Sequence, residues 1–169
     1  MEEQIVNRVA NSALMTIDLE EHFPAGERLQ LDLSQWLDGG FVLREKEFRQ
    51  ALKEFDWSAY TAKHVALHCS TDAILPGWAY MLVTTYLAPV AGTVVLGDMD
   101  DLELELFRNT IDDIDLSIYI DRPVIVKGCA NKPIPEQAYI YLLQKLQPIA
   151  KSLMYGEACS SVPLFKPKK

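Results

Sequence analysis

Two stretches of this chain read alike, and that repetition constrains the fold more than any other feature. The first runs Lys63-His64-Val65-Ala66-Leu67-His68-Cys69, a loop, then Pro76-Gly77-Trp78-Ala79-Tyr80 and on to Leu96-Gly97-Asp98. The second runs Pro123-Val124-Ile125-Val126-Lys127-Gly128-Cys129, a loop, then Pro135-Glu136-Gln137-Ala138-Tyr139 and on to Tyr155-Gly156-Glu157. The two cysteines are 60 positions apart, and after a one-residue difference in the loop the rest aligns at an offset of 59. Pro76/Pro135, Ala79/Ala138, Tyr80/Tyr139, Leu87/Leu146, Pro89/Pro148, Ala91/Ala150 and Gly97/Gly156 are identical, and Asp98/Glu157 keep an acid. Prolines and glycines recur along with apolar residues, so the pattern reads as an internal duplication.

Each copy has the order of a βαβ unit: an apolar run, a loop, a proline suited to a first helical turn, a helix, and a second β-rich run. Strands joined by such a crossover lie parallel, with a right-handed connection. The helices are predicted over 76–90 and 135–150, and the closing strands over 93–96 and 152–155. Upstream, Leu14 to Leu19 and Leu29 to Leu33 alternate apolar and polar residues as short strands do. Gly39-Gly40 breaks the chain, and Phe48, Leu52 and Phe55 then recur at helical spacing. Between the copies, Asp98 to Asp121 holds nine acids against the single base Arg108, with Leu102, Leu106 and Phe107 placed to face a sheet.

The expectation is one α/β domain with a largely parallel sheet from two duplicated βαβ repeats, 63–98 and 122–159. An N-terminal lead-in of short strands and a helix, 1–62, precedes them. An acidic connecting segment, 99–121, joins them, and 160–169 follows as a tail whose end, Phe165-Lys166-Pro167-Lys168-Lys169, reads as a solvated terminus.

Composition narrows the function classes. A chain that is 49% hydrophobic and 24% charged can bury a core, which excludes a disordered polymer. No apolar run approaches the roughly 18 residues of a membrane span, and MEEQIVNRVA has acids where a signal peptide needs lysines. A net charge of −8 opposes nucleic-acid binding, which needs a basic face. Three cysteines are an odd number without the density of a disulfide scaffold, so the setting reads as reducing and cytoplasmic.

Ligands of a parallel sheet bind outside the carboxyl ends of its strands. Cys69 and Cys129 close the first strand of each copy, and Cys159 follows the last strand, after Gly156-Glu157. All three thiols are therefore expected at one sheet edge. If the copies meet at their first strands, Cys69 and Cys129 end on neighbouring strands about 4.8 Å apart. Such thiols suit zinc, iron or an iron–sulfur cluster, with Glu157, Asp98 or His68 as further ligands. A helix N-terminus follows each repeat cysteine and favours thiolate. Cys129, or Cys69, is then a candidate nucleophile, with Gly128 leaving room for a substrate.

Other signatures are missing. No C-x-x-C, G-x-G-x-x-G, Walker A, H-E-x-x-H, EF-hand or G-x-S-x-G pattern occurs. His64 and His68 share one strand face about 13 Å apart, too far for one metal. Trp78, Tyr80, Tyr86, Tyr139 and Tyr141 read as helix packing.

The phrases IVNRVANSALMTIDLEEHFP, ALHCSTDAILPGWAYML, VKGCANKPIPEQAY and MYGEACSSVPLFK, in this order, resemble an uncharacterised bacterial family of Bacteroidetes type, domain of unknown function 2480. The resemblance covers essentially the full length and brings no established reaction, cofactor or catalytic residue. Genes of this family often lie beside those of the Suf-type iron–sulfur assembly system, which implies a role in iron–sulfur or sulfur handling and iron–sulfur assembly proteins as partners.

Three functions follow: a cysteine-based metal or iron–sulfur accessory protein, a thiol enzyme or sulfur carrier, and a non-catalytic interaction module with structural cysteines and an acidic docking segment. Whether the protein is an enzyme stays open at this stage.

Overall fold

The runs rich in Val, Leu and Ile become strands, and in the computed structural model, which describes residues 13–128, 131–157 and 160–167, there are seven of them. They are β1 (Met15–Ile17), β2 (Arg28–Asp32), β3 (His64–His68), β4 (Thr93–Leu96), β5 (Pro123–Val126), β6 (Ser152–Glu157) and β7 (Ser160–Phe165). Four α-helices lie among them: α1 (Glu45–Glu54), α2 (Gly77–Leu87), α3 (Met99–Asp113) and α4 (Glu136–Leu146). The fold is α/β, and every strand pair is parallel except β6–β7.

The strands do not form one sheet. They divide into β2-β3-β4 and β1-β5-β6-β7, in two compact units that comprise residues 24–106 and, together, 1–23 and 107–169. The expectation that the two copies meet at their first strands is thereby corrected, since β3 and β5 lie in different sheets. Each copy pairs instead with a lead-in strand: β2 lies beside β3, and β1 lies beside β5.

In the unit 24–106, strand alternation sends Val65 and Leu67 to one face of the sheet and Ala66 to the other. Val65 and Leu67 pack with Phe48 and Leu52 of α1 and with Ala79, Val83 and Leu87 of α2. Ala66 packs with Leu102 and Leu106 of α3. Trp36, Phe55, Trp57 and Tyr86 extend the first cluster, with Trp57 and Tyr86 stacked at 5.2 Å. In the other unit, Val124, Val126 and Leu153 pack with Ala138, Leu142 and Leu146 of α4 and with Phe107 and Ile111 of α3. Leu102, Leu106 and Phe107 are buried, as their spacing predicts.

The local hydrogen bonds of the two copies recur at the same offset of 59. The N–H of Ala62 donates to Val90 O (2.8 Å) and that of Asp121 to Ile149 O (2.9 Å); both residues take left-handed φ, 58° and 55°. Gly92 N–H reaches Lys63 O as Lys151 N–H reaches Arg122 O, and His64 faces Thr93 as Pro123 faces Ser152. A second repeated device passed unnoticed in the sequence. Asp32-Leu33-Ser34-Gln35-Trp36, Asp56-Trp57-Ser58-Ala59-Tyr60 and Asp115-Leu116-Ser117-Ile118-Tyr119 each form a 3-10 turn, whose leading carboxylate accepts the serine N–H. An aspartate there satisfies a donor that the short helix leaves free.

Within the segment expected as a tail, Ser160–Phe165 form β7, which runs antiparallel along β6. Pro163 lies opposite Met154, a position whose backbone groups face β5, so the proline costs the β6–β7 ladder no donor.

Candidate functional sites at the strand carboxyl ends

Each sheet has its own carboxyl edge. On the sheet β2-β3-β4, the centre is Asp32, the last residue of β2. One carboxylate oxygen accepts the N–H groups of Ser34 (2.9 Å) and Ser70 (3.0 Å). The other accepts the hydroxyls of Ser34 (2.7 Å) and Ser70. Burial pushes this carboxyl up, but the hydroxyl and backbone donors of Ser34 and Ser70 outweigh it and hold it well below the usual carboxylate range. The effect is to tie the loop after β3 to the turn after β2. Sequence reasoning missed Asp32; the signal was the Asp-x-Ser-x-aromatic pattern.

Cys69 lies in that tied loop, half-buried, with its Sγ 3.3 Å from Thr71 Oγ1. Thr71 in turn donates to Gly40 O at 2.6 Å. Burial pushes the phenol of Tyr80 on α2 up, and the nearby Asp32 carboxylate pushes it the same way. His68 closes β3 and is half-buried. Asp98 emerges beside it from β4, but its Oδ1 already accepts the N–H groups of Asp100 (2.9 Å) and Asp101 (3.0 Å) at the start of α3. Asp98 is therefore a helix cap.

On the other sheet, Asp18 follows β1 at the place that Asp32 holds on β2. Its Oδ2 accepts Lys127 Nζ at 2.6 Å and its Oδ1 accepts Glu20 N–H at 2.9 Å. Burial raises this carboxyl, and the Lys127 and Glu20 hydrogen bonds lower it further than burial raises it. Glu157 closes β6, and its charge, with those of Asp18 and Glu20, favours the protonated Lys127 ammonium. Glu20 also accepts the N–H of Asn131 at 2.9 Å.

Cys129 and Cys159 lie outside the described residues. The strands that lead to them, β5 and β6, are parallel neighbours with Val126 opposite Tyr155. The strands that precede the three cysteines fall in two sheets: β3, which ends at His68 before Cys69, lies with β2 and β4, while β5 and β6 lie in the other. β3 and β5 are not neighbouring strands, so the strand spacing of about 4.8 Å does not relate Cys69 to Cys129. Among the described residues, no three His, Cys, Asp or Glu side chains gather closely enough to hold a metal. The room expected beside Gly128 is also filled, because a Cβ there would come within 2.5 Å of the Tyr155 ring.

No described helix is long and apolar enough to cross a membrane. Residues 3–167 match the family model described as "Protein of unknown function (DUF2480)", and the chain belongs to that family. No curated protein and no solved structure matches the chain.

Proposed function

We propose that this member of a family of unknown function is a thiol-dependent metal or iron–sulfur accessory protein, with Cys129 and Cys159 as its ligands. The observation that supports this reading is the parallel pairing of β5 and β6. The chain leaves β5 through Lys127-Gly128 and leaves β6 through Glu157, so both departures begin at one end of one sheet. Two thiols and the Glu157 carboxylate make a donor set for zinc or iron, and an incomplete shell suits transfer to a partner that completes it. Iron–sulfur assembly proteins fit that partner role. Cys69 follows β3, a strand of the other sheet.

Metal analysis of the full chain purified without oxygen tests the reading. Near-stoichiometric zinc or iron is expected, lost in Cys129→Ser/Cys159→Ser and kept in Cys69→Ser. Substoichiometric metal that the double substitution leaves unchanged overturns it.

A second reading, a non-catalytic interaction module, is favoured by Cys69 itself. Its thiol is engaged by Thr71 within a network that joins two loops, as a structural cysteine would be. It predicts that Cys69→Ser lowers stability and that all three serine variants retain their partners.

A further inference from the structure

β4 ends its sheet on one side, and among the described residues no strand pairs with its outer edge. Leu67 O accepts Gly97 N–H, so strand alternation turns Val95 toward β3 and leaves the N–H and C=O groups of Val94 and Leu96 pointing outward. The edge Thr93-Val94-Val95-Leu96 carries no charge, proline or bulge, the usual devices that keep an edge from pairing. Beside it lies a groove of about 370 Å³ lined by Leu67, Tyr80, Met81, Thr84, Val94 and Leu96. Met81 and Leu96 are 70% and 61% exposed.

The other unit shows how the equivalent edge is covered. Shifted by 59 positions, Val94 and Leu96 become Leu153 and Tyr155, and these face Phe165 and Val162 of the antiparallel β7. Phe165 packs on the core there, and Leu153 is fully buried, whereas Val94 remains half-buried. What covers the equivalent edge of β6 is an antiparallel strand with an apolar side chain, Phe165, opposite Leu153.

We propose that the β4 edge is a docking site for a second copy of this chain, paired antiparallel to its own β4 about a two-fold axis through Val95. In that register Val94 of one copy faces Leu96 of the other, and every outward backbone group of both residues finds a partner. Leu96 of each copy then lies over the groove of its partner, as Phe165 lies opposite Leu153. The groove is apolar apart from the hydroxyls of Tyr80 and Thr84, so its occupant is an uncharged side chain, and the edge itself carries one at the matching place. This inference goes beyond the thiol reading and shares no residue with it.

The edge is only 4 residues long. The contact falls short of a standard interface, and a dissociation constant on the order of 10–100 µM is expected. Sedimentation equilibrium of the full chain from roughly 5 to 500 µM, a range that spans that constant, tests the proposal. The expected result is a monomer that becomes a dimer, weakened at least about tenfold by Leu96→Lys, which places charge in the apolar groove. Val94→Pro removes an outward N–H while sparing the β3 ladder and is expected to abolish the dimer. Tryptophan emission checks that both variants are folded; should Val94→Pro fail to fold, Leu96→Lys decides alone. A chain that stays monomeric throughout overturns the proposal, even if it captures a foreign strand such as a peptide of residues 160–167. A dimer that Leu96→Lys leaves unchanged overturns it as well.

Discussion

Replacing Asp32 tests whether one carboxylate ties together the two loops at the end of the β2-β3-β4 sheet. Asp32→Ala leaves the N–H groups of Ser34 and Ser70 without their acceptor and removes the cap of the 3-10 turn. A lost cap costs about 0.5–2 kcal/mol, and an unsatisfied buried donor about 1–3 kcal/mol where water cannot reach it. Because the site is only partly buried, the expected total is about 2–4 kcal/mol. Asp32→Asn keeps one acceptor oxygen for both N–H groups and loses only the charge, so about 1–2 kcal/mol is expected. All three tryptophans, Trp36, Trp57 and Trp78, lie in the unit 24–106, so tryptophan emission during urea unfolding reports on that unit. With a urea slope of about 1–2 kcal/mol/M, the alanine variant moves the midpoint down by roughly 1–4 M. Acid adds a second readout with a definite sign. The folded carboxyl is depressed below its unfolded value, so its contribution is present above pH about 4 and is lost as pH falls below that. The gap between native chain and Asp32→Asn therefore begins to narrow below about pH 4 and keeps narrowing as pH falls further. An asparagine variant as stable as the native chain at pH 7, or a gap that persists unchanged at pH 2.5, refutes the reasoning.

Three further outcomes follow from the geometry. Lys127→Met removes the ammonium that lowers the Asp18 carboxyl, so the Asp18 titration midpoint followed by carboxyl-carbon NMR moves upward, and acid unfolding of its unit begins at a higher pH; an unmoved midpoint counts against the pair. Gly156 has φ +116° and a Cβ there would meet Ser160 O at 2.9 Å, so Gly156→Ala is expected to cost about 1–3 kcal/mol in circular-dichroism melts. Gly77, at the start of α2 with nothing within 4 Å of a Cβ, is its control: Gly77→Ala is expected to be neutral or to stabilise by up to about 1 kcal/mol, and equal losses at both sites would contradict the account of Gly156.

The amino-acid sequence alone determined what is local in this protein. The apolar runs and prolines gave the two βαβ units and placed β4 on the residues expected, because strand alternation, helix starts and crossover handedness depend on neighbours in the chain. The Asp-x-Ser-x-aromatic turns were equally legible and went unread. Only the tertiary structure decided which strands share a sheet. β1 pairs with β5 rather than with β2, and Asp18 meets Lys127, 109 positions away. Nothing in Met15-Thr16-Ile17 distinguishes β5 from β3 as a partner, since both are short, largely buried apolar strands. That choice depends on packing between segments far apart in the chain. The same choice put β3, which leads to Cys69, in a different sheet from β5 and β6, and left β4 with an edge that its counterpart β6 covers with β7.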